Sequence, residues 1–449
     1  MSSLYIQNEF KKTKIGQIPP EWKCSTISDI AEVNPKPIKL DNDETYVSFV
    51  GMADVSESAQ LVTSTNKNYG EVKKGFTSFC DDDVLVAKIT PCFENGKGAL
   101  ANNLTNGIGF GSTEFHVIRA KASLGCPEFI HHITTSHNFR AKGEMNMTGT
   151  AGQKRVGKEF IASYLIACPP FPEQQKIAEI LSTVDKKIDL IDQKIAETQK
   201  LKTGLMQKLF SEGVGVQDKD GNWQPHTEFK DSPVGKIPKT WRDGRISNYV
   251  KELISGVSVN SFDKKKDDNE LGILKTSAVL GGEFFPEQHK TIKLEDIDRA
   301  KSTVKKDTLI ISRMNTPALV GEFGYASSDF IDLYLPDRLW MTVPTDKPHC
   351  VKALSYLLQF EPIRKAIKEL ATGTSNSMKN ISKGKFLNVY VPQIPFDEQI
   401  KIKDIISTVD SKIMLLKKQK SETQQLKKGL MQKLLTGEWR VPVDESEAA

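Results

Sequence analysis

Several things are scarce in this 449-residue chain, and each scarcity removes a class of protein. The six cysteines (Cys24, Cys80, Cys92, Cys126, Cys168, Cys350) are scattered, with no C-x-x-C and no Cys/His group at zinc spacing. A disulfide scaffold and a zinc module are thereby excluded, and the cysteines are expected to be reduced and mostly buried. No apolar run approaches the roughly 20 residues that cross a bilayer, and the N-terminus lacks a signal-peptide h-region, so a cytoplasmic protein without membrane contact is expected. Charge excess is also small. With 62 basic and 57 acidic residues the net charge is +5, which leaves a nucleic-acid partner undecided because matched charges can still be segregated in space.

Catalytic signatures are missing too. No G-x-x-x-x-G-K-[ST] loop is present, and no Ser/His/Asp or Cys/His arrangement is identifiable. Gly107-Ile-Gly-Phe-Gly111 runs into a strand-like segment, where a phosphate-binding loop would open a helix. Cys168-Pro-Pro-Phe171 lacks the side-chain carbonyl that an amino-methyltransferase motif needs there. The expectation is a chain with no enzymatic chemistry, no metal and no cofactor of its own.

What is present is a duplication. The length suggests two to four domains at roughly 150 residues each, and the 38% hydrophobic content suffices for several cores. Residues 170–209 align without gaps on residues 395–434, with about 25 of 40 positions identical. Weaker echoes keep the same order: Gly16-Gln-Ile-Pro-Pro-Glu-Trp22 with Gly235-Lys-Ile-Pro-Lys-Thr-Trp241, Asp83-Val-Leu-Val with Asp307-Thr-Leu-Ile, and Thr148-Gly-Thr150 with Thr372-Gly-Thr374. Between these landmarks the halves diverge. A connector rich in Gly, Asp and Pro, Ser211 to Pro238, reads as loop and turn.

The matched segments are predicted helices. Apolar residues fall at steps of four and three at Ile177, Leu181, Val184, Ile188 and Ile191, and again at Ile402, Ile406, Val409, Ile413 and Leu416. A helix of this length runs about 60 Å and needs a partner helix to cover its stripe. A pseudo-two-fold relation between the copies makes antiparallel pairing the simplest solution. Polar residues interrupt both seams, Thr198 with Lys202 and Thr423 with Lys427. They either fix register or mark solvated ends. Leu201, Met206, Leu426 and Met431 offer apolar surface beyond the seam, which suggests a further docking partner.

In this arrangement the sequence resembles the specificity (S) subunit of type I restriction-modification enzymes, the HsdS family. The resemblance covers the whole chain. It is carried by Ile18-Pro-Pro-Glu-Trp22 and Ile237-Pro-Lys-Thr-Trp241, by Asp83-Val-Leu-Val-Ala-Lys-Ile-Thr-Pro91, by Gly111-Ser-Thr-Glu-Phe115, by the Thr-Gly-Thr loops, and by Pro-x-x-Glu-Gln at 170–174 and 395–399. It implies an α/β fold: two α/β target recognition domains joined by two long α-helices that pair as an antiparallel coiled coil, pseudo-two-fold duplicated. The expected boundaries are 12–168 for the first recognition domain, 169–212 for the first spacer helix, 213–231 for a linker, 232–392 for the second domain and 393–438 for the second helix. The resemblance further implies a non-catalytic subunit that reads a bipartite, asymmetric site in double-stranded DNA. Two methyltransferase subunits and two restriction subunits would assemble on it, and S-adenosylmethionine, ATP and magnesium are expected on those partners. The rival readings are an S subunit whose partner fuses methylase and nuclease, and a coiled-coil scaffold that binds no DNA.

Candidate DNA-binding residues lie in two places per half. Thr148, Gly149, Gln153, Lys154 and Arg155 join glycines that permit close approach to side chains suited to adenine or guanine edges and to phosphates. Gly373, Thr374, Asn376, Ser377, Lys379 and Asn380 hold the matching place in the second half. Just past two predicted strands come Lys88, Thr90, Asn95 and Lys97, and Arg313 and Asn315.

Overall fold

The computed structural model describes residues 5–7, 9–150, 152–373 and 378–443. The chain divides into two compact units, one made of Met1–Asp192 with Lys418–Ala449, the other of Gln193–Lys417. The long helices, Phe171–Ser211 and Phe396–Leu434, each contribute one half to each unit.

In the first unit the sheet order is Gly98–Leu100, Val84–Ala87, Phe115–Ala120, Ala31–Val33, antiparallel throughout. A second sheet runs Thr65–Asn68, Tyr46–Val50, Ile108–Gly111, Thr77–Cys80, with a parallel pair at its centre. The central strand Val84–Ala87 is buried on both faces. Its alternation sends Val84 and Val86 into a core shared with the helices and Leu85 into a separate core beneath the second sheet. The segment that follows the glycines is indeed strand, Phe115–Ala120, and Ile108–Gly111 is strand as well.

The second unit repeats the plan with longer strands. Thr308–Ser312 lies between Leu339–Pro344 and Phe323–Ala326, and Val250–Ser255 closes one edge. Leu309 and Ile311 enter the helix-side core while Ile310 faces the other. Three helices follow in each unit: Pro127–Thr135, His137–Met145 and Lys158–Ser163 in the first, Val351–Leu357, Glu361–Glu369 and Lys383–Leu387 in the second.

Pro-x-x-Glu-Gln is what ties each head to its helix. Trp22 and Trp241 are fully buried, and a buried indole N–H needs an acceptor. Trp22 Nε1 donates to Glu173 Oε2 at 2.9 Å, and Trp241 Nε1 to Glu398 Oε2 at 2.7 Å. The neighbouring glutamines secure the first helix of the head. Gln174 Oε1 accepts from the Cys126 amide at 3.0 Å, and Gln399 Oε1 from the Cys350 amide at 2.9 Å. A carboxylate this buried requires compensation, and the units supply it differently. Arg440 forks onto Glu173, Nε at 2.7 Å and a terminal nitrogen at 3.0 Å, from a strand, Trp439–Arg440, that pairs with Tyr5–Ile6. Glu398 instead accepts from the amides of Val214 and Gly215, at 2.7 and 3.1 Å, and meets His226 at 3.0 Å. The connector that delivers these groups was expected to be loop and turn, and its turns close two short hairpins, Val216–Gln217 with Trp223–Gln224 and Phe229–Ser232 with Gly235–Pro238.

Within each unit the helix halves run antiparallel. Asp185 pairs with Lys427 at 2.6 Å and Asp192 with Lys420 at 2.7 Å, so a step of seven forward on one helix is a step of seven back on the other. In the second unit Lys202 meets Asp410 at 2.7 Å, and Met206, Leu209 and Phe210 share a core with Ile402 and Ile406. The lysines that interrupt the seam are therefore paired, and such half-exposed pairs serve register more than stability. Ile177, Leu181, Ile191, Ile402, Ile406, Ile413 and Leu416 are buried, with Val184, Ile188 and Val409 half-buried. Met206 is core, not surplus surface, and Met431 is half-buried, whereas Leu201 and Leu426 are exposed. Only Cys126 and Cys168 are buried; the other four cysteines are partly exposed, and all six are unpaired.

The ion pairs also meet the heads. His132, almost wholly buried, has Nε2 at 3.3 Å from Ser182 Oγ and Nδ1 at 4.0 Å from Asp185. Tyr356 holds the matching place, its hydroxyl 2.7 Å from Asp410 and 3.3 Å from Ser407. Burial pushes the His132 pKa well below its ordinary 6.5, assisted by His131 and Lys427. The folded ring is thus neutral while the unfolded one takes up a proton near 6.5, so stability is retained above that pH and lost below it.

Two outcomes follow from these contacts. Glu173→Gln keeps an acceptor for Trp22 but takes from Arg440 its buried carboxylate, leaving the more exposed Glu21 at 3.0 Å, and is expected to cost about 2–4 kcal/mol in urea unfolding; a loss below about 1 kcal/mol contradicts the assignment. His132→Tyr, which installs the second unit's residue, should flatten the fall in stability between about pH 7 and pH 5.5, and an unaltered slope would place the proton uptake elsewhere.

Candidate nucleic-acid interface

The two candidate segments of each head, far apart in sequence, are joined by backbone hydrogen bonds. In the first head Ile89 bridges Arg155, and Arg155 bridges Thr148. The Thr90 amide donates to the Lys154 carbonyl at 2.9 Å, and the Val156 amide to the Lys88 carbonyl at 2.9 Å. In the second head Met314–Asn315 pairs with Lys379–Asn380, Asn380 bridges Thr372, and the Ile381 amide donates to the Arg313 carbonyl at 2.9 Å. Lys88 and Arg313, Arg155 and Asn380, and Thr148 and Thr372 therefore occupy matching places.

The glycines have a local reason. Gly149 has φ +123°, and a Cβ there would lie 2.8 Å from the Gln153 carbonyl oxygen. Gly373 has φ +145°, with the Met378 carbonyl 3.0 Å from the same position. Both are backbone conformations that side chains rarely adopt.

Thr148, Gly149, Gln153, Lys154 and Arg155 are exposed, and Lys88 and Thr90 are half-buried beside them. Arg155 forks onto Glu114, Nε at 3.0 Å and a terminal nitrogen at 2.8 Å, and its other nitrogen reaches the Gln153 carbonyl at 3.2 Å. The hydrogen bond from Arg155 holds the Glu114 carboxyl below its ordinary range. Burial pushes the Lys88 ammonium down, with Glu114 opposing and Arg155 adding to the shift. Thr90 donates to Glu94 at 2.8 Å. Asn95 and Lys97 turn away from this loop: their side chains donate to Glu57 and to the Met52 carbonyl, both at 2.9 Å.

In the second head Arg313 and Asn315 are half-buried. Arg313 Nε donates to the Asp337 carbonyl at 2.8 Å, Asn315 to Ser312 Oγ at 3.2 Å, and Lys379 to the Gly373 carbonyl at 2.6 Å. Asn380 Oδ1 is buried with no hydrogen-bond partner. Thr374, Asn376 and Ser377 lie outside the described residues.

Two residues at these sites escape a reading of the sequence. Glu114 and Arg338 each precede the strand beside the central one, and their carbonyls accept from Lys88 and Arg313 at 2.9 and 3.1 Å. Ser-Thr-Glu and Pro-Asp-Arg share no residue, so only strand register shows that the positions correspond.

Among the described residues no helix is long and apolar enough to cross a membrane, and no group of His, Cys, Asp and Glu is placed to hold a metal ion. The second unit also contains an open groove of about 1670 Å³, lined by Lys202, Met206, Tyr325, Lys352, Tyr356 and Met414 among others.

Residues 19–200 match the model of the type I restriction modification DNA specificity domain. The chain is 25% identical over 480 residues to the Type I restriction enzyme EcoEI specificity subunit of Escherichia coli, covering 91% of this chain and 80% of the relative. It is 26% identical over 450 residues to the putative type I restriction enzyme MjaX specificity subunit of Methanocaldococcus jannaschii, covering 97% and 98%. The fold matches that of the type I restriction-modification S subunit from M. genitalium, with a TM-score of 0.53, 14% identity and coverage of 92% and 96%. The duplicated α/β heads with their long helices thus share the fold of that S subunit. Over most of its length the chain is similar to the specificity subunits of type I restriction-modification systems.

Proposed function

We propose that this chain is the DNA-recognition and assembly subunit of a type I restriction-modification enzyme, reading a bipartite, asymmetric site in double-stranded DNA. One observation carries this reading: the same two-segment site is built in both heads, on the same backbone hydrogen bonds, with different side chains at its tips. A shared frame suits a common ligand, B-DNA, and changed tips suit different base sequences. Lys88, Thr90, Thr148, Gln153, Lys154 and Arg155 would contact one half-site, and Arg313, Asn315, Lys379 and Asn380 the other.

The chain itself does no chemistry in this reading. Two methyltransferase subunits, holding S-adenosylmethionine, and two restriction subunits, holding ATP and magnesium, would supply it in the cytoplasm. Exposed apolar side chains on the long helices, Leu190 and Leu426 in one unit and Leu201, Met414 and Leu415 in the other, support a docking role.

The test is methylome sequencing of a host that expresses the chain with its modification partner. A methylated motif of two unlike half-sites separated by unread bases is expected. A contiguous motif, or no motif, refutes the reading.

A further inference from the structure

We infer that the groove of the second unit receives a carboxylate-bearing, partly apolar segment of the modification subunit, anchored by Lys352, and that the first unit, with Glu128 at the matching place, holds its own copy of that subunit more weakly. This rests on the assembly role proposed above.

The match between Glu128 and Lys352 is fixed by hydrogen bonds. Helices Pro127–Thr135 and Val351–Leu357 each follow a cysteine whose amide donates to the glutamine of Pro-x-x-Glu-Gln, Cys126 to Gln174 and Cys350 to Gln399. Glu128 and Lys352 each lie two residues further on. One turn beyond them His132 faces Ser182 and Asp185, and Tyr356 faces Ser407 and Asp410. Lys427 and Lys202 complete the two ion pairs. One frame therefore carries a half-buried carboxylate in the first unit and a half-buried ammonium in the second. The fold does not require a cation at this place.

The surroundings of the two charges differ as well. Lys352 Nζ stands 4.6 Å from the centre of the Tyr325 ring and 4.8 Å from that of Tyr356, in the wall of the groove. Two ring faces hold an ammonium in position but supply no counter-charge. The wall's carboxylates Asp410 and Glu322 are engaged elsewhere, the first by Lys202 and the Tyr356 hydroxyl, the second by Arg364 and Lys368. Among the described residues Lys352 forms no ion pair. Burial pushes its pKa below the ordinary 10.5, with Asp410 and Glu283 opposing and Lys202 adding to the shift. A cation in this state is best answered by an anion from outside. At about 1670 Å³ the groove exceeds the usual size of a small-molecule pocket. Its walls combine Tyr, Phe and Met with Arg364, the side chains enriched where proteins meet, and Met414 among them is 69% exposed. In the first unit Glu128 accepts from the Cys126 thiol at 3.1 Å, and after burial it is the largest influence raising the Asp82 carboxyl pKa. A partner's carboxylate is repelled there.

Calorimetric titration of the full chain with the purified modification subunit reads both affinities. Two dissociation constants about tenfold apart are expected at low salt, converging as ionic strength rises. Lys352→Glu puts at this place the charge that the first unit already folds around, and should weaken the tighter site about tenfold, bringing the two level. Lys352→Gln should do so in part, and Glu128→Lys should tighten the weaker site alone. Equal affinities in the wild-type chain, or a gap that none of these substitutions moves, would overturn the inference while leaving assembly intact. A chain that takes up no modification subunit would sink the assembly role itself, a distinct result.

Discussion

Each unit depends on one buried carboxylate. Glu173 and Glu398 sit at the start of the long helices, and each accepts a hydrogen bond from a fully buried tryptophan at the head of its half. Such a charge is tolerated only when every lone pair is answered. The answers recruit distant chain: Arg440 to Glu173, and the connector amides with His226 to Glu398. With the adjacent glutamines fixing the first helix of each head, the orientation of head on helix becomes a matter of hydrogen-bond geometry rather than of apolar contact alone. That explains why the Pro-x-x-Glu-Gln and Ile-Pro-x-x-Trp landmarks recur in both halves while the surrounding sequence drifts.

From this anchor the heads vary with little constraint. The second carries longer strands and a six-stranded sheet where the first has four, yet the central strand, its neighbours and the bridge to the Thr-Gly-Thr loop keep their register. At the two-segment site itself, variation is confined to side chains that leave the backbone bonds intact. Under the proposed function, this division would let what is read change while assembly stays the same.

Much of this was legible in the sequence, because the decisive signals are local or repeated. The helical stripe Ile177, Leu181, Val184, Ile188, Ile191 and its copy display their period directly, and the duplication could be read by alignment. The lysines at 202 and 427 looked like interruptions, and only the paired helices supply the partners Asp410 and Asp185. Met206 looked like surplus surface because its cover, Ile237 and Trp241 among others, is distant in sequence. Asn95 and Lys97 follow the central strand as the sequence suggests, but their hydrogen bonds to Glu57 and to the Met52 carbonyl could not be read from it. Glu114 and Arg338 were hidden for a different reason: their correspondence exists in strand register and nowhere in residue identity.

The central claim is that each head reads its own half-site within a common frame. Its most direct measurement is the methylome of a host carrying the chain in which residues 232–392 are replaced by the corresponding head of a relative with a different target. One half-site is expected to change completely while the other half-site and the number of unread bases between them stay as they were. A change in both half-sites, or an unaltered motif, would contradict it.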